Sequence, residues 1–143
     1  MNGPGLRRHR VVLAALVGAL ALAAGCAGEL DRPERFADCP PGYVEQLFQR
    51  SCAGDCHAGA EPEAGLDLVS PGAGARLLGA VSVQEDCTGL VMIDPAGGPH
   101  LLLQKLDDQP PCGSRMPFGE PELDPADVEC VRRWIDEVAG GGP

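Results

Sequence analysis

Cys52-Ala53-Gly54-Asp55-Cys56-His57 is the stretch on which the reading of this chain turns. It sets two thiols within one short turn and a histidine directly after the second. Each thiol can add across one vinyl group of a haem, and the adjoining imidazole then lies under the iron as its proximal ligand. The usual attachment sequence has two residues between its cysteines. Here there are three, Ala53, Gly54 and Asp55, so the segment has to bulge to keep both sulfurs in reach. Gly54 suits that bulge because glycine adopts positive φ without a steric penalty. The competing reading of the same residues is a small-loop disulfide beside an incidental histidine.

Upstream, residues 1–25 read as an export signal. Arg7, Arg8 and Arg10 form a basic start, an apolar run follows from Val11 to Leu22, and small residues precede Cys26. The run is shorter than the roughly 20 residues of a membrane span. Ala23-Ala24-Gly25-Cys26 is similar to a bacterial lipobox, which makes Cys26 the expected lipidated N-terminus after cleavage. Simple secretion and an uncleaved anchor are the alternatives. Residues 26–42 read as an acidic tether ending in a Pro-Pro turn, and residues 43–139 as the folded domain. The chain is thus expected in the bacterial cell envelope or periplasm, held to a membrane through lipid.

Residues 1–25 contain three of the 11 basic residues and no acid, so the remaining 118 carry 8 basic against 21 acidic side chains, a formal charge of −13. This argues against nucleic acid as a partner. It is compatible with a well-solvated surface or with steering toward a redox partner that has a basic surface. The same 118 residues suit one small domain with a thin core. The whole chain has three Phe, one Trp and one Tyr against 20 Gly and 14 Pro, a composition that calls for a covalent staple or a bound group.

Export places the cysteines in an oxidising compartment. Of the seven, Cys26 is assigned to lipid and Cys52 with Cys56 to haem, which leaves Cys39, Cys87, Cys112 and Cys130 with three possible connectivities. The preferred pairs are Cys87 with Cys112, closing the central segment against the loop that carries Met116, and Cys39 with Cys130, tying the approach to the first helix onto the last. A haem-free partition with three disulfides among six cysteines is arithmetically equal.

Hydrophobic spacing at Val44, Leu47, Phe48 and Cys52 predicts a helix from Tyr43 into the Cys52 turn. A short helix is expected over 75–81 and another over 100–106, followed by a loop from Asp107 to Pro121. The last helix is the best marked. Asp124 is a suitable N-cap, Pro125 fits the first position, Asp127 the positive end and Gly140 the end, with Val128, Val131, Ile135 and Val138 on one stripe beside Trp134. The expected class is mainly α with long loops, stapled by disulfides.

A haem that transfers electrons takes a second axial ligand, and the candidates are Met92, Met116 and His100. Met116 lies in the Pro- and Gly-rich loop Cys112-Gly113-Ser114-Arg115-Met116-Pro117, where a thioether can be held firmly. Met92, between Val91 and Ile93, reads as core, and His100 as a helix-start residue or an alternative ligand.

Phe48 followed by Cys52-Ala53-Gly54-Asp55-Cys56-His57, then Gly65-Leu66-Asp67-Leu68, Leu101 to Leu106 with Lys105, Cys112 to Pro117 and Trp134-Ile135-Asp136 stand in one order. That order resembles the small c-type cytochrome domains common in planctomycete and myxobacterial exported proteins. The resemblance spans about residues 43–139. It implies a cytochrome c-like helical fold, one covalent haem c on Cys52 and Cys56, His57 as proximal and Met116 as distal ligand. The function to be expected is one-electron transfer by a membrane-tethered carrier that is not itself an enzyme. Neither a Ser-His-Asp grouping nor a phosphate loop is legible, and Glu85-Asp86 and Asp107-Asp108 read as solvated charges. Two other classes stay open from the residues: a haem-free disulfide-stapled lipoprotein acting as a binding or structural module, and a zinc site on Cys52, Cys56 and His57.

Overall fold

The computed structural model describes residues 37–141. The export segment, the lipidation candidate Cys26 and the tether as far as residue 36 lie outside the described residues. Among the described residues four α-helices and three further helical turns, two 3-10 and one π, are joined by long loops around one apolar core. Among the described residues β-structure is limited to two isolated bridges, and no helix is long and apolar enough to cross a membrane. The class expected from the sequence, helical with long loops and disulfides, is the class observed.

Helix α1, Tyr43–Phe48, buries Val44, Leu47 and Phe48, the three positions that the i, i+3, i+4 spacing selects. The chain continues without a break into a π-helical turn, Gln49–Ala53, which carries it to the Cys52 motif. Helix α2, Ala73–Leu77, buries Ala73 and Leu77. It begins before the expected span and stops well short of Val81. Gly79, at a φ of +72°, ends it, and the following residues pair elsewhere. Leu78 bridges Ile93 and Val81 bridges Val91, with Gly79 N–H donating to Ile93 O and Met92 N–H to Ala80 O, both at 2.8 Å. A partner 10 or more residues away in sequence thus takes over the backbone groups that a longer helix would have satisfied internally.

Helix α3, Leu101–Gln104, buries Leu101 and Leu102. It is shorter than expected at both ends, with His100 as its N-cap and Lys105 as its C-cap. The long helix α4, Pro125–Ala139, follows its caps closely. The Asp124 carboxylate accepts Ala126 N–H at 2.8 Å, Pro125 opens the helix and Gly140 closes it. Its innermost residues are Cys130, Val131 and Ile135, while Val128 and Val138 are only half-buried.

The α1–α4 contact sets where the motif sits. The Phe48 and Trp134 rings meet edge to face with centroids 5.5 Å apart, an arrangement worth about 1 kcal/mol beyond burial. Trp134 Nε1–H donates to Glu45 Oε1 at 3.2 Å. At the other end Tyr43 O–H donates to Asp127 Oδ1, and Arg50, seated over the Tyr43 ring at 5.1 Å, pairs with the same carboxylate at 3.3 Å.

Two disulfides complete the frame, Cys39–Cys130 with a sequence separation of 91 and Cys87–Cys112 with a separation of 25. Of the three connectivities open to these four cysteines, this is the preferred one. Because the loop entropy removed from the unfolded chain grows with the logarithm of loop length, the outer bridge should contribute about 1 kcal/mol more than the inner one. Replacing both Cys39 and Cys130 by Ala is therefore expected to destabilise by about 2–5 kcal/mol in thermal or urea unfolding. The Cys87→Ala/Cys112→Ala pair should cost less, and the opposite order would show that strain outweighs loop closure.

Candidate functional site

Cys52 and Cys56 remain thiols although they are only four residues apart. Backbone hydrogen bonds define the turn that separates them. Cys56 N–H donates to Ala53 O at 2.9 Å, and His57 N–H donates to both Ala53 O and Cys52 O, each at 3.1 Å. The bond from His57 back to Cys52 spans five residues, the π-helical register, where a two-residue spacer would close an ordinary α-turn over four. The extra residue is absorbed by widening the ring. Gly54 takes φ +35°, ψ −136°, a conformation that favours glycine. The bulge expected at this residue is present, and it leaves the cysteines and the histidine in one turn.

The three side chains have distinct surroundings. His57 is 9% exposed, Cys52 is half-buried and Cys56 is on the surface. Burial pushes the Cys52 thiol up to about 11, and the adjacent Cys56 adds to the rise. Cys52 is therefore a neutral thiol across the physiological range. The backbone behind the site is also fixed. Glu63 N–H donates to Cys56 O at 2.7 Å and Leu68 N–H to His57 O at 3.0 Å, so the Gly65-Leu66-Asp67-Leu68 segment folds back onto the motif with Leu68 buried. Hydrogen bonds from the Ser70 side chain, then from the Ser70 and Val69 amides, hold the Asp67 carboxyl down to about 2. Arg76 pairs with it at 3.6 Å.

The candidates for a second ligand separate clearly. Met92 is core, 8% exposed, and its backbone is bonded to Ala80 and Leu102. His100 uses Nδ1 to accept the Asp94 N–H at 3.0 Å, closing the turn that leads into α3. Met116 is half-buried in a loop with no helix of its own, beside a cis Met116–Pro117 peptide. Its N–H donates to Lys105 O at 2.7 Å, and Lys105 Nζ donates to Cys112 O at 2.9 Å.

Two buried side-chain atoms among the described residues have no hydrogen-bond partner, His57 Nδ1 and Arg115 Nη1. One lies in each of the two segments that sequence reading singled out. The nearest carboxylate to Arg115, on the largely exposed Glu122, is 3.9 Å away, too far for a hydrogen bond. A buried donor left unsatisfied costs about 1–3 kcal/mol, more when charged, and such groups in a small domain call for an explanation. Sequence reading missed Arg115, since an arginine in a polar loop carries no burial signal. Among the described residues no three His, Cys, Asp or Glu side chains converge as a metal-holding group. Compared with protein families, with curated proteins and with solved structures, the chain has no match.

The difference between the thiols is measurable in chain that carries no adduct. The thiolate is the species alkylated, so at pH 8 iodoacetamide should label the exposed Cys56 first. Cys52 should react roughly a hundredfold more slowly than an ordinary cysteine, its rate climbing as pH approaches about 11. Equal labelling of the two at pH 8 would contradict the burial described.

Proposed function

We propose that this chain is a monohaem c-type cytochrome, tethered to a membrane through lipid on Cys26 and carrying single electrons within the bacterial cell envelope. The observation that carries the reading is the fate of the cysteines. Four of the six in the described residues form the two staples, and the two left as thiols are those that flank, with His57, a single widened turn.

The donor set fits a haem. Attachment adds each S–H across a vinyl group, with the sulfur and hydrogen ending on the two vinyl carbons, so it consumes reduced thiols and needs no oxidant. Cys52 and Cys56 would hold the porphyrin through their sulfurs, and His57 and Met116 would supply the ligands to its iron. Arg115 Nη1, which makes no hydrogen bond and has only the Glu122 carboxylate at 3.9 Å, is a suitable donor to an acidic group, and a haem carries two carboxylates. A bound haem supplies reversible one-electron exchange at iron. The chain's own contribution is to hold the imidazole in a buried, backbone-anchored turn and to present a thioether from a half-buried loop. The acidic surface favours a redox partner with a basic face, and the role is that of a carrier, not an enzyme.

The decisive experiment is a denaturing haem stain with a pyridine haemochrome spectrum on chain purified from its native envelope, where its own maturation machinery has acted. The expected result is one covalent haem per chain, lost in the Cys52→Ser/Cys56→Ser variant. A colourless wild-type chain would overturn the reading and leave a disulfide-stapled lipoprotein with a binding or structural role.

Met116→Ala is expected to lower the reduction potential, because a thioether ligand favours the reduced iron, and to remove the weak charge-transfer band at the red end of the oxidised spectrum. An unchanged band would move the distal position to another residue, with His100 the first to test.

A further inference from the structure

Lys105 is the only lysine in the chain, and it touches the Met116 loop at both ends. Its Nζ donates to the carbonyl of Cys112 at 2.9 Å, and its own carbonyl accepts the N–H of Met116 at 2.7 Å. The amine is seated against the loop backbone, since a Cβ added at Gly113 would lie 3.3 Å from Nζ. No carboxylate among the described residues pairs with it, so its bond to Cys112 does not compete with an ion pair.

Lys105 is itself anchored. It follows α3, whose Leu101 and Leu102 are buried, and its N–H donates to Leu101 O at 2.9 Å. Cys112 is held from the opposite side by its disulfide to Cys87, which is 2% exposed. The segment Cys112 to Met116 is thus a five-residue loop with both ends fastened to one side chain's residue.

We infer that Lys105 is the positioning residue for the Met116 thioether, closing this loop with a charge-assisted bond to Cys112 and a backbone bond from Met116. The inference rests on Met116 being an iron ligand. Its physical basis is that methionine has three rotatable side-chain bonds, so a thioether competes well for a metal only when the backbone that carries it is already ordered. Partial burial pushes the Lys105 ammonium below its ordinary value, in keeping with a half-buried amine seated against the loop.

Two variants and two readouts test it. Lys105→Met keeps the apolar stem and removes the donor; Lys105→Arg keeps a cationic donor. The first readout is hydrogen exchange at the Met116 amide, with the α4 amides of Val131 and Ile135 as internal reference. In Lys105→Met, Met116 should exchange about tenfold faster with α4 unchanged, whereas general destabilisation would quicken both. The second readout, on haem-loaded chain, is imidazole binding at the distal position, which should tighten by about tenfold in Lys105→Met while the red-end band weakens. Lys105→Arg should hold both wild-type values.

Unchanged Met116 exchange and unchanged imidazole affinity in Lys105→Met would overturn the inference, as would equal loss in both variants. A wild-type chain without haem would instead overturn the reading beneath it. Exchange at Met116 reports the clamp whether or not haem is present, so the two failures are told apart.

Discussion

The docking of α1 on α4 is the constraint on which the rest of this domain depends. Six short residues of α1 are too few to hold themselves in water, and the core they join is small. What fixes them is an edge-to-face ring pair at Phe48 and Trp134, a carboxylate at Asp127 shared by Tyr43 and Arg50, and the Cys39–Cys130 bridge. The bridge joins the chain just before α1 to the inner face of α4. With α1 placed, the π-turn that grows out of its end has one orientation, and the Cys52 and Cys56 sulfurs and the His57 ring inherit it.

The second organising fact is that, among the described residues, only two buried side-chain nitrogens lack a hydrogen bond, and both lie in the segments where a ligand is proposed. Asp67 is held by three hydrogen-bond donors and an arginine, and Arg76 reaches the carbonyls of Asp67, Pro71 and Ser70. Against that background His57 Nδ1 and Arg115 Nη1, the two buried side-chain atoms among the described residues that make no hydrogen bond, stand apart. A small domain short of apolar surface has little stability to spare, so a burial without a partner is more economically read as one half of a contact than as waste.

Much of this was legible in the sequence where local chemistry decides. The Asp124-Pro125 start of α4, the helix leading into Cys52 and the glycine in the cysteine spacer are each dictated by neighbours in the chain. The pairing of Cys39 with Cys130 and of Cys87 with Cys112 was one preference among three connectivities that cysteine counting left open, and the structure adopts it. The misses are long-range. Val81 and Val83 carry a β-branched signal too short to announce a partner, so the bridge to Val91 and the early end of α2 were not foreseen. Cys130 is among the innermost residues of α4, yet it was absent from the stripe because a disulfide, not apolar periodicity, turns that face inward. Lys105 appeared in the pattern as one more polar residue, since nothing in its neighbours reveals that its amine reaches across to Cys112.

The two bridges are nested, with the 87–112 pair enclosed by the 39–130 pair. Any single backbone cut between residues 39 and 130 therefore leaves both fragments covalently joined, and a cut after Lys105 leaves them joined twice. Wherever it meets a protease, a domain with long exposed loops can be nicked anywhere within that span and still keep its two halves, and the turn at residues 52–57, on one molecule.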